Sequence, residues 1–402
     1  MVTIASAFTD GRYAAPTGVG FDGVVRVSSA GYYGTGVLLY DGRAVLTAGH
    51  LFSYGNTAAT IHFDTTGGAV SLNSSQVLVH PDYVSTSSNY DLALVWLSGS
   101  APVSAERYDL YRSGDEQGQT FTFLGYGKPG TGALGVSAQA DTGYVRRQAE
   151  NTFDADGAQL KAAMGSAMAW SPLQGSQLMA DFDNGQWAND ALGRLLGVSH
   201  TGLGLNEGLI AVGDSGGPAF IDGRVAGIAS YTATLSRGAV HPDIDDTGNS
   251  SFGELAAWQR AGYFQDWIDQ GLRARYTDAP TRPDDVKKSV VEPDSGTAYV
   301  YFLLQFNGVR SAPDQWLSVD YTTRDGSATA GSDYLPRSGT LVLYPEENQA
   351  VIAVEVVGDT VAEPDETFYL DVFNPVGGSF GAGVTTLTAM RTIVNDDGMF
   401  FG

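Results

Sequence analysis

The chain has 402 residues, with 45 acids against 22 basic residues and a net charge of −23. Phosphate backbones are met by Lys and Arg, so this balance argues against a nucleic-acid partner, and no apolar run approaches the ~18 residues of a membrane span. With 43% hydrophobic residues, 52 glycines and no cysteine, the chain can build two or three cores by packing alone, in a turn-rich, all-β protein.

Residues 1–20 are small and polar, punctuated by Gly and Pro, and are expected to lie as a strap over the first barrel of strands. Residues 1–8 lack the basic start and apolar core of a secretory leader. From Phe21 the pattern turns to short apolar strands at Val24–Val27, Gly36–Tyr40, Val45–Thr47, Ala58–Phe63, Val77–His80 and Asp91–Leu97. Turn residues at such short intervals favour a sandwich or a barrel. His50 follows Leu46-Thr47-Ala48-Gly49, just past a strand end. Asp91 heads the apolar run Leu92-Ala93-Leu94-Val95, where a carboxylate is poorly solvated. The region 128–196 is less regular, with the mixed-polarity stretch Asp154–Met168 and an aromatic pair, Trp170 and Trp187.

Gly213-Asp214-Ser215-Gly216-Gly217-Pro218 is unusual for ordinary loop chemistry. Glycine permits backbone conformations that a side chain forbids, so consecutive N–H groups can point into one small volume beside Ser215. A nucleophilic hydroxyl with backbone donors where an oxyanion forms is what acyl transfer needs. The alternative is a tight Gly-rich turn between strands; what favours chemistry is that a base, His50, and an acid, Asp91, occur elsewhere. Ala219–Ile221 and Val225–Ser230 then read as a hairpin turned at Asp222-Gly223. Residues 233–251 carry His241, Asp243, Asp245 and Asp246, with Glu254 just beyond; a solvated acidic loop is favoured there over a metal site. Tyr263–Leu272 has helical apolar spacing at Phe264, Trp267, Ile268 and Leu272.

Thr-Ala-Gly-His ending at His50, Asp-Leu-Ala-Leu beginning at Asp91, and Gly-Asp-Ser-Gly-Gly-Pro resemble the three motifs of the chymotrypsin-type serine proteases, in the family's order. The resemblance implies two six-stranded β-barrels and a C-terminal helix. It makes Ser215 the nucleophile, His50 the general base and Asp91 its orienting acid, with the N–H groups of Gly213 and Ser215 as the oxyanion hole and no cofactor for catalysis. His80-Pro81-Asp82-Tyr83 is similar to a segment preceding the family's triad aspartate, which makes His80 structural. Phe121–Gly127 resembles the segment opening the second barrel, with Tyr126 in place of tryptophan. Asp91 and Ser215 stand further apart than in most of the family, which suggests an insertion within 128–196. No Ile-Val-Gly-Gly terminus is evident to pair with Asp214. Trypsin-like members place an aspartate where this chain has Leu209, so an apolar P1 preference is expected, with Ser230, Tyr231 and Thr232 in the substrate-pairing strand.

Thr277–Asp285, with Pro280 and Pro283 among charges, reads as a linker. The strand alternation beyond it reads as a separate Ig-like β-sandwich. Ala330-Gly331-Ser332-Asp333-Tyr334, Glu363-Pro364-Asp365-Glu366-Thr367-Phe368 and Ile393-Val394-Asn395-Asp396-Asp397 resemble a Calx-β domain. By that resemblance Glu292, Asp333, Asp359, Glu363, Glu366, Asp396 and Asp397 are candidate calcium ligands, since hard cations take clustered carboxylates. The expected organisation is a protease domain over 1–275, a linker over 276–285 and a Calx-β domain over 286–402. The expected function is a secreted serine endopeptidase acting on protein or peptide substrates, its second domain serving for surface or inter-domain tethering. The rival reading is a catalytically silent protease fold kept for adhesion. The acidic, Gly-rich, Cys-free composition resembles substrates of bacterial one-step secretion.

Overall fold

The computed structural model describes residues 3–7, 9–52, 55–136 and 143–398. Residues 137–142, within the expected insertion, and residues 1, 2 and 8 of the expected strap lie outside them. A short strand, Thr3–Ile4 (β1), comes first. Then come Val24–Ser29 (β2), Tyr32–Leu38 (β3), Ala44–Thr47 (β4), Thr60–Thr65 (β5), Gly68–Val79 (β6) and Ala93–Leu97 (β7). These pair in the order β2-β3-β4-β7-β6-β5, and β5 returns to β2 to close a barrel. Their β-branched and aromatic residues suit a pleated surface packed on one side, and Val25, Val27, Val45, Ile61, Phe63 and Val95 fill the interior.

The second half of this unit begins with Thr120–Gly125 (β8), Gly130–Thr131 (β9), Gly135–Val136 (β10), Arg147–Thr152 (β11) and Ala155–Asp156 (β12). Helix Gly157–Met164 (α1), Gln177–Asp181 (β13), helix Ala191–Leu196 (α2) and Gly208–Leu209 (β14) follow. Pro218–Ile221 (β15), Arg224–Ala233 (β16) and Leu255–Arg260 (β17) complete a seven-stranded sheet of order β11-β8-β15-β16-β17-β13-β12. Its core stacks Phe121 on Phe153 at 3.8 Å, with Trp258 edge-on to both. Asp222 and Gly223 both take positive φ in the β15–β16 turn, as a two-residue hairpin loop requires.

Two expectations change here. The start of the chain belongs to this second half: β1 pairs with β14 on one side and β9 on the other, and Ile4 is fully buried with Phe123 and Leu209. An apolar side chain flanked by free sheet edges gains more there than as a surface strap. Nor is 128–196 simply an insertion, because β11 and β13 are sheet strands. The mixed-polarity stretch becomes α1 because Asp156 and Gln159 form a reciprocal capping box at its start, a sequence signature of helix entry.

Helix Gln265–Arg273 (α3) falls where two compact units, Met1–Ile268 and Asp269–Gly402, divide. The second unit holds Ser289–Val291 (β18), Gly296–Gln305 (β19), Leu317–Asp325 (β20), Ser338–Leu343 (β21), Gln349–Gly358 (β22), Glu366–Val376 (β23) and Thr386–Val394 (β24). One sheet runs β18-β24-β23-β20-β21, the other pairs β19 with β22, and Val354, Tyr334 and Phe368 are among the buried residues between them. Within this unit Tyr301 donates to Asp278 at 2.6 Å and Gln349 to the Thr281 carbonyl at 2.7 Å. The expected linker thus lies against the sandwich. Among the described residues no helix is long and apolar enough to cross a membrane.

Candidate active site

β4 and β7 run antiparallel with Thr47 opposite Ala93. His50, three residues past Thr47, and Asp91, two before Ala93, therefore emerge at the same end of the pair. The His50 backbone N–H donates to Asp91 Oδ1 at 2.7 Å, and its Nδ1 lies 2.8 Å from Oδ2. Asp91 is fully buried, whereas the His50 side chain is 31% exposed. Nδ1–H donation to a carboxylate leaves Nε2 free to accept a proton. Burial opposes the charged imidazolium, but the Asp91 carboxylate outweighs it and raises the His50 pKa above its ordinary value.

Ser215 lies in a turn where Gly213 and Gly216 take φ of +98° and +83°, conformations that disfavour side chains. The turn is held from the first barrel by Thr35 in β3. The Thr35 N–H donates to the Ser215 carbonyl at 2.8 Å, and its hydroxyl donates to the Gly213 carbonyl at 2.9 Å. That hydroxyl also accepts the Tyr126 N–H at 3.0 Å. A Cβ on Gly216 would lie 2.0 Å from Thr47 Oγ1 and 2.8 Å from the Ala48 nitrogen, so the turn sits against the segment leading to His50. Among the described residues, neither the Gly213 nor the Ser215 N–H meets a carbonyl. Two unspent donors beside a hydroxyl are what an oxyanion would use.

Asp214 is fully buried and accepts the N–H groups of Gly127 and Ala211, each at 2.8 Å. Burial raises its pKa. Two backbone N–H groups of its own barrel are thus among the partners of the acid beside the nucleophile. His80 stacks on Tyr90 at 4.6 Å and lies 4.8 Å from Trp267, with its Nδ1 taking the Asp82 N–H. Burial lowers its pKa, and it stands in an aromatic packing site.

The residues expected to contact substrate are dispersed. Leu209 is wholly buried in the core of the second half, its backbone paired with Thr3, so its side chain is no pocket wall. Ser230 turns inward and donates to Asp91 Oδ2 at 2.5 Å, while Gln259 donates to Ser230 at 3.3 Å. The Tyr231 hydroxyl takes the Trp170 Nε1–H at 2.8 Å and donates to Gln177 at 2.7 Å. Thr232 is exposed on β16. Trp170 packs edge-on against Tyr231, whereas Trp187 is 55% exposed, so the two tryptophans do different things. In the 233–251 loop Asp245 and Asp246 are exposed, but Asp243 and Glu254 are buried. Glu254 Oε1 accepts the N–H groups of Asn249 and Ser251, so this acid shapes the loop instead of being solvated by water.

In the sandwich, carboxylate oxygens of Asp333, Glu363 and Glu366 come within 4.8 Å of one another, and so do those of Asp294, Asp396 and Asp397. Burial raises the Glu292 pKa, and the charges of Asp359, Glu363 and Asp397 add to it, so Glu292 lies near acids of both groups. Burial first, then Asp333, pushes Glu366 up to about 7. Asp397 Oδ2 is buried without a partner; a hard divalent cation fits such oxygens. Asp294 and Thr35 escaped the sequence reading. Asp294 follows Glu292 in the same acidic bend, which was a usable signal, but nothing local marks Thr35.

A closed barrel and a second curled sheet, with a His–Asp pair and a glycine-flanked serine at their seam, define a serine-protease fold of chymotrypsin type. Here it is followed by a β-sandwich. Residues 9–169 match the family model described as Trypsin, and residues 305–397 match that of the Calx-beta domain. The chain therefore carries a trypsin domain followed by a Calx-beta domain. The Trypsin match takes in His50 and Asp91 and ends before Ser215. The chain is also similar to sodium/calcium exchanger 2 of Mus musculus, 31% identical over 153 residues that make up 31% of this chain and 17% of that protein. It is 40% identical over 82 residues to the sodium/calcium exchanger Calx of Drosophila melanogaster, covering 20% of this chain and 8% of the relative. With sodium/calcium exchanger 3 of Homo sapiens it shares 46% identity over 56 residues, 14% of this chain and 6% of that one. The chain thus spans under a fifth of the length of these curated relatives.

Proposed function

We propose that the chain is a serine endopeptidase that cleaves peptide bonds through an acyl-enzyme. The observation that carries this is the double grip of the buried Asp91 carboxylate on His50, through its ring and its own N–H. Ser215 Oγ bonds to the substrate carbonyl carbon as its proton passes to His50 Nε2. The oxyanion takes the N–H groups of Gly213 and Ser215, an arrangement in which losing one donor costs roughly 100- to 1000-fold. His50 then gives its proton to the leaving amine, and water repeats the sequence to release the acid.

An apolar P1 preference goes with this reading, because the chain carries Leu209, a core residue, at the position where trypsin-like members place an aspartate. Calcium is proposed for the second domain, with Asp333, Glu363 and Glu366 as one ligand group and Asp396 and Asp397, joined by Asp294, as another. The name of the exchangers similar to the chain agrees with a calcium ligand. An extracellular setting, and a tethering role for the second domain, complete the proposal. Labelling with a fluorophosphonate probe tests it. Labelling of the wild-type chain that disappears in Ser215→Ala is expected, and a wild-type chain that stays unlabelled would falsify the enzymatic reading.

A further inference from the structure

The trypsin domain buries a second group of acids away from the His50–Asp91 pair. Asp181 ends β13, Asp183 follows two residues later, and Asp190 caps α2. Their relative exposures are 1%, 2% and 0%. One carboxylate oxygen from each lies within 4.8 Å of the others. Asp154, 5% exposed, and Glu207, 1% exposed, join the same neighbourhood.

Most of these carboxylates are held in place by donors. Asp181 Oδ2 accepts the Leu192 N–H at 2.7 Å, and Asp190 accepts the Gly193 N–H at 2.6 Å and the Ser199 hydroxyl at 3.2 Å. Glu207 accepts the N–H groups of Asp183, at 2.7 Å, and of Leu203. His200 Nδ1 stands 3.7 Å from Asp154 Oδ1. Asp183 differs: both its oxygens are buried and neither has a partner. An uncompensated buried carboxylate is costly, and the surroundings that would have to tolerate it are themselves acidic.

A proton would remove the charge but would supply no donor to the buried oxygens. Neither Asp183 oxygen accepts a hydrogen bond from a donor among the described residues. Carboxylate oxygens within 4.8 Å of one another match oxygens placed around an ion with bonds of about 2.3–2.6 Å. Gly202 lets Glu207 and Asp183 pack close on one side, since a Cβ there would lie 2.2 Å from Glu207 Oε2 and 2.6 Å from Asp183 Cβ.

We infer that Asp181, Asp183 and Asp190 form a buried calcium site in the trypsin domain, separate from the acids of the sandwich, with Asp154 and Glu207 flanking it. Carboxylates are the donors that calcium prefers. The ion would tie the end of β13 to the start of α2, so its effect is on stability and not on proton transfer.

The test uses the full chain with the sandwich acids neutralised by Asp333→Asn, Glu366→Gln and Asp397→Asn. After chelation, calcium binding is followed by calorimetric titration and thermal unfolding. One calcium per chain and a calcium-dependent rise in Tm are expected. Adding Asp183→Asn should abolish both, while leaving the chelated protein as stable or more so, because an unpaired buried charge has gone. Asp181→Asn, whose amide oxygen can still accept the Leu192 N–H, should abolish them too and replaces Asp183→Asn if that variant does not fold. A parent chain that binds no calcium, or a folded variant that keeps the bound ion, overturns the inference.

Discussion

Ser230 and His50 share one oxygen of Asp91: the serine hydroxyl reaches Oδ2 at 2.5 Å, and the imidazole Nδ1 reaches the same atom at 2.8 Å. The carboxylate thus orients the imidazole while a hydroxyl from the other half of the domain stabilises its charge. Charge-assisted hydrogen bonds of this kind are stronger than neutral ones. The side chain of Ser230, on the strand expected to pair with substrate, is thus turned to Asp91.

Asp91→Asn should leave the fold intact and lower kcat by about 10⁴, the loss typical of a triad whose imidazole is held in the wrong tautomer. Hydrolysis of a peptide substrate, with far-UV circular dichroism as the folding control, measures it. A loss below about tenfold, far short of that typical value, would mean that Asp91 does not orient the base.

The base works only when neutral. Because the His50 pKa is raised in the folded chain, activity should fall on acidification through a value above the ordinary histidine range. In Ser230→Ala the carboxylate loses a donor and holds the imidazolium more strongly, so the acid limb of kcat/KM should move to higher pH. A limb that stays in place or moves to lower pH counts against the shared-oxygen arrangement.

Thr35→Val keeps the N–H to the Ser215 carbonyl but removes the hydroxyl that serves Gly213 and Tyr126. Each buried group left unpaired costs about 1–3 kcal/mol, so Tm should fall. Loosening Gly213 should also lower kcat more than it changes KM. Unchanged kcat beside a lowered Tm would confine Thr35 to a structural role.

Gly216→Ala places a methyl 2.0 Å from Thr47 Oγ1 and 2.2 Å from the Thr35 carbonyl, at a φ of +83°. Backbone on both sides cannot yield cheaply. Fluorophosphonate labelling should be lost, whereas Gly223→Ala, with nothing within 4 Å of its Cβ, should still label.

Much of the fold was readable because strand periodicity and turn residues are local. Val24–Ser29, Ala44–Thr47, Ala93–Leu97 and the Asp222-Gly223 hairpin all formed close to where their patterns lie. Helix α1 was missed although Asp156 and Gln159 spell its start, because its weak apolar face hid the cap. The place of Thr3–Ile4 had no local signal, since its partners stand at Gly130 and Leu209, far along the chain.

By themselves, the residues in order determined the motifs: a serine between glycines, a histidine past one strand and an aspartate before another. Those depend on side-chain chemistry and on neighbours a few positions away. Only the tertiary structure decided that Thr35 pins the nucleophile turn, that Ser230 serves Asp91, that Leu209 belongs to a core, and that five acids separated along the chain meet out of water. Each of these rests on contacts between distant segments, whose distances and burial are set when the strands pair and the sheets close.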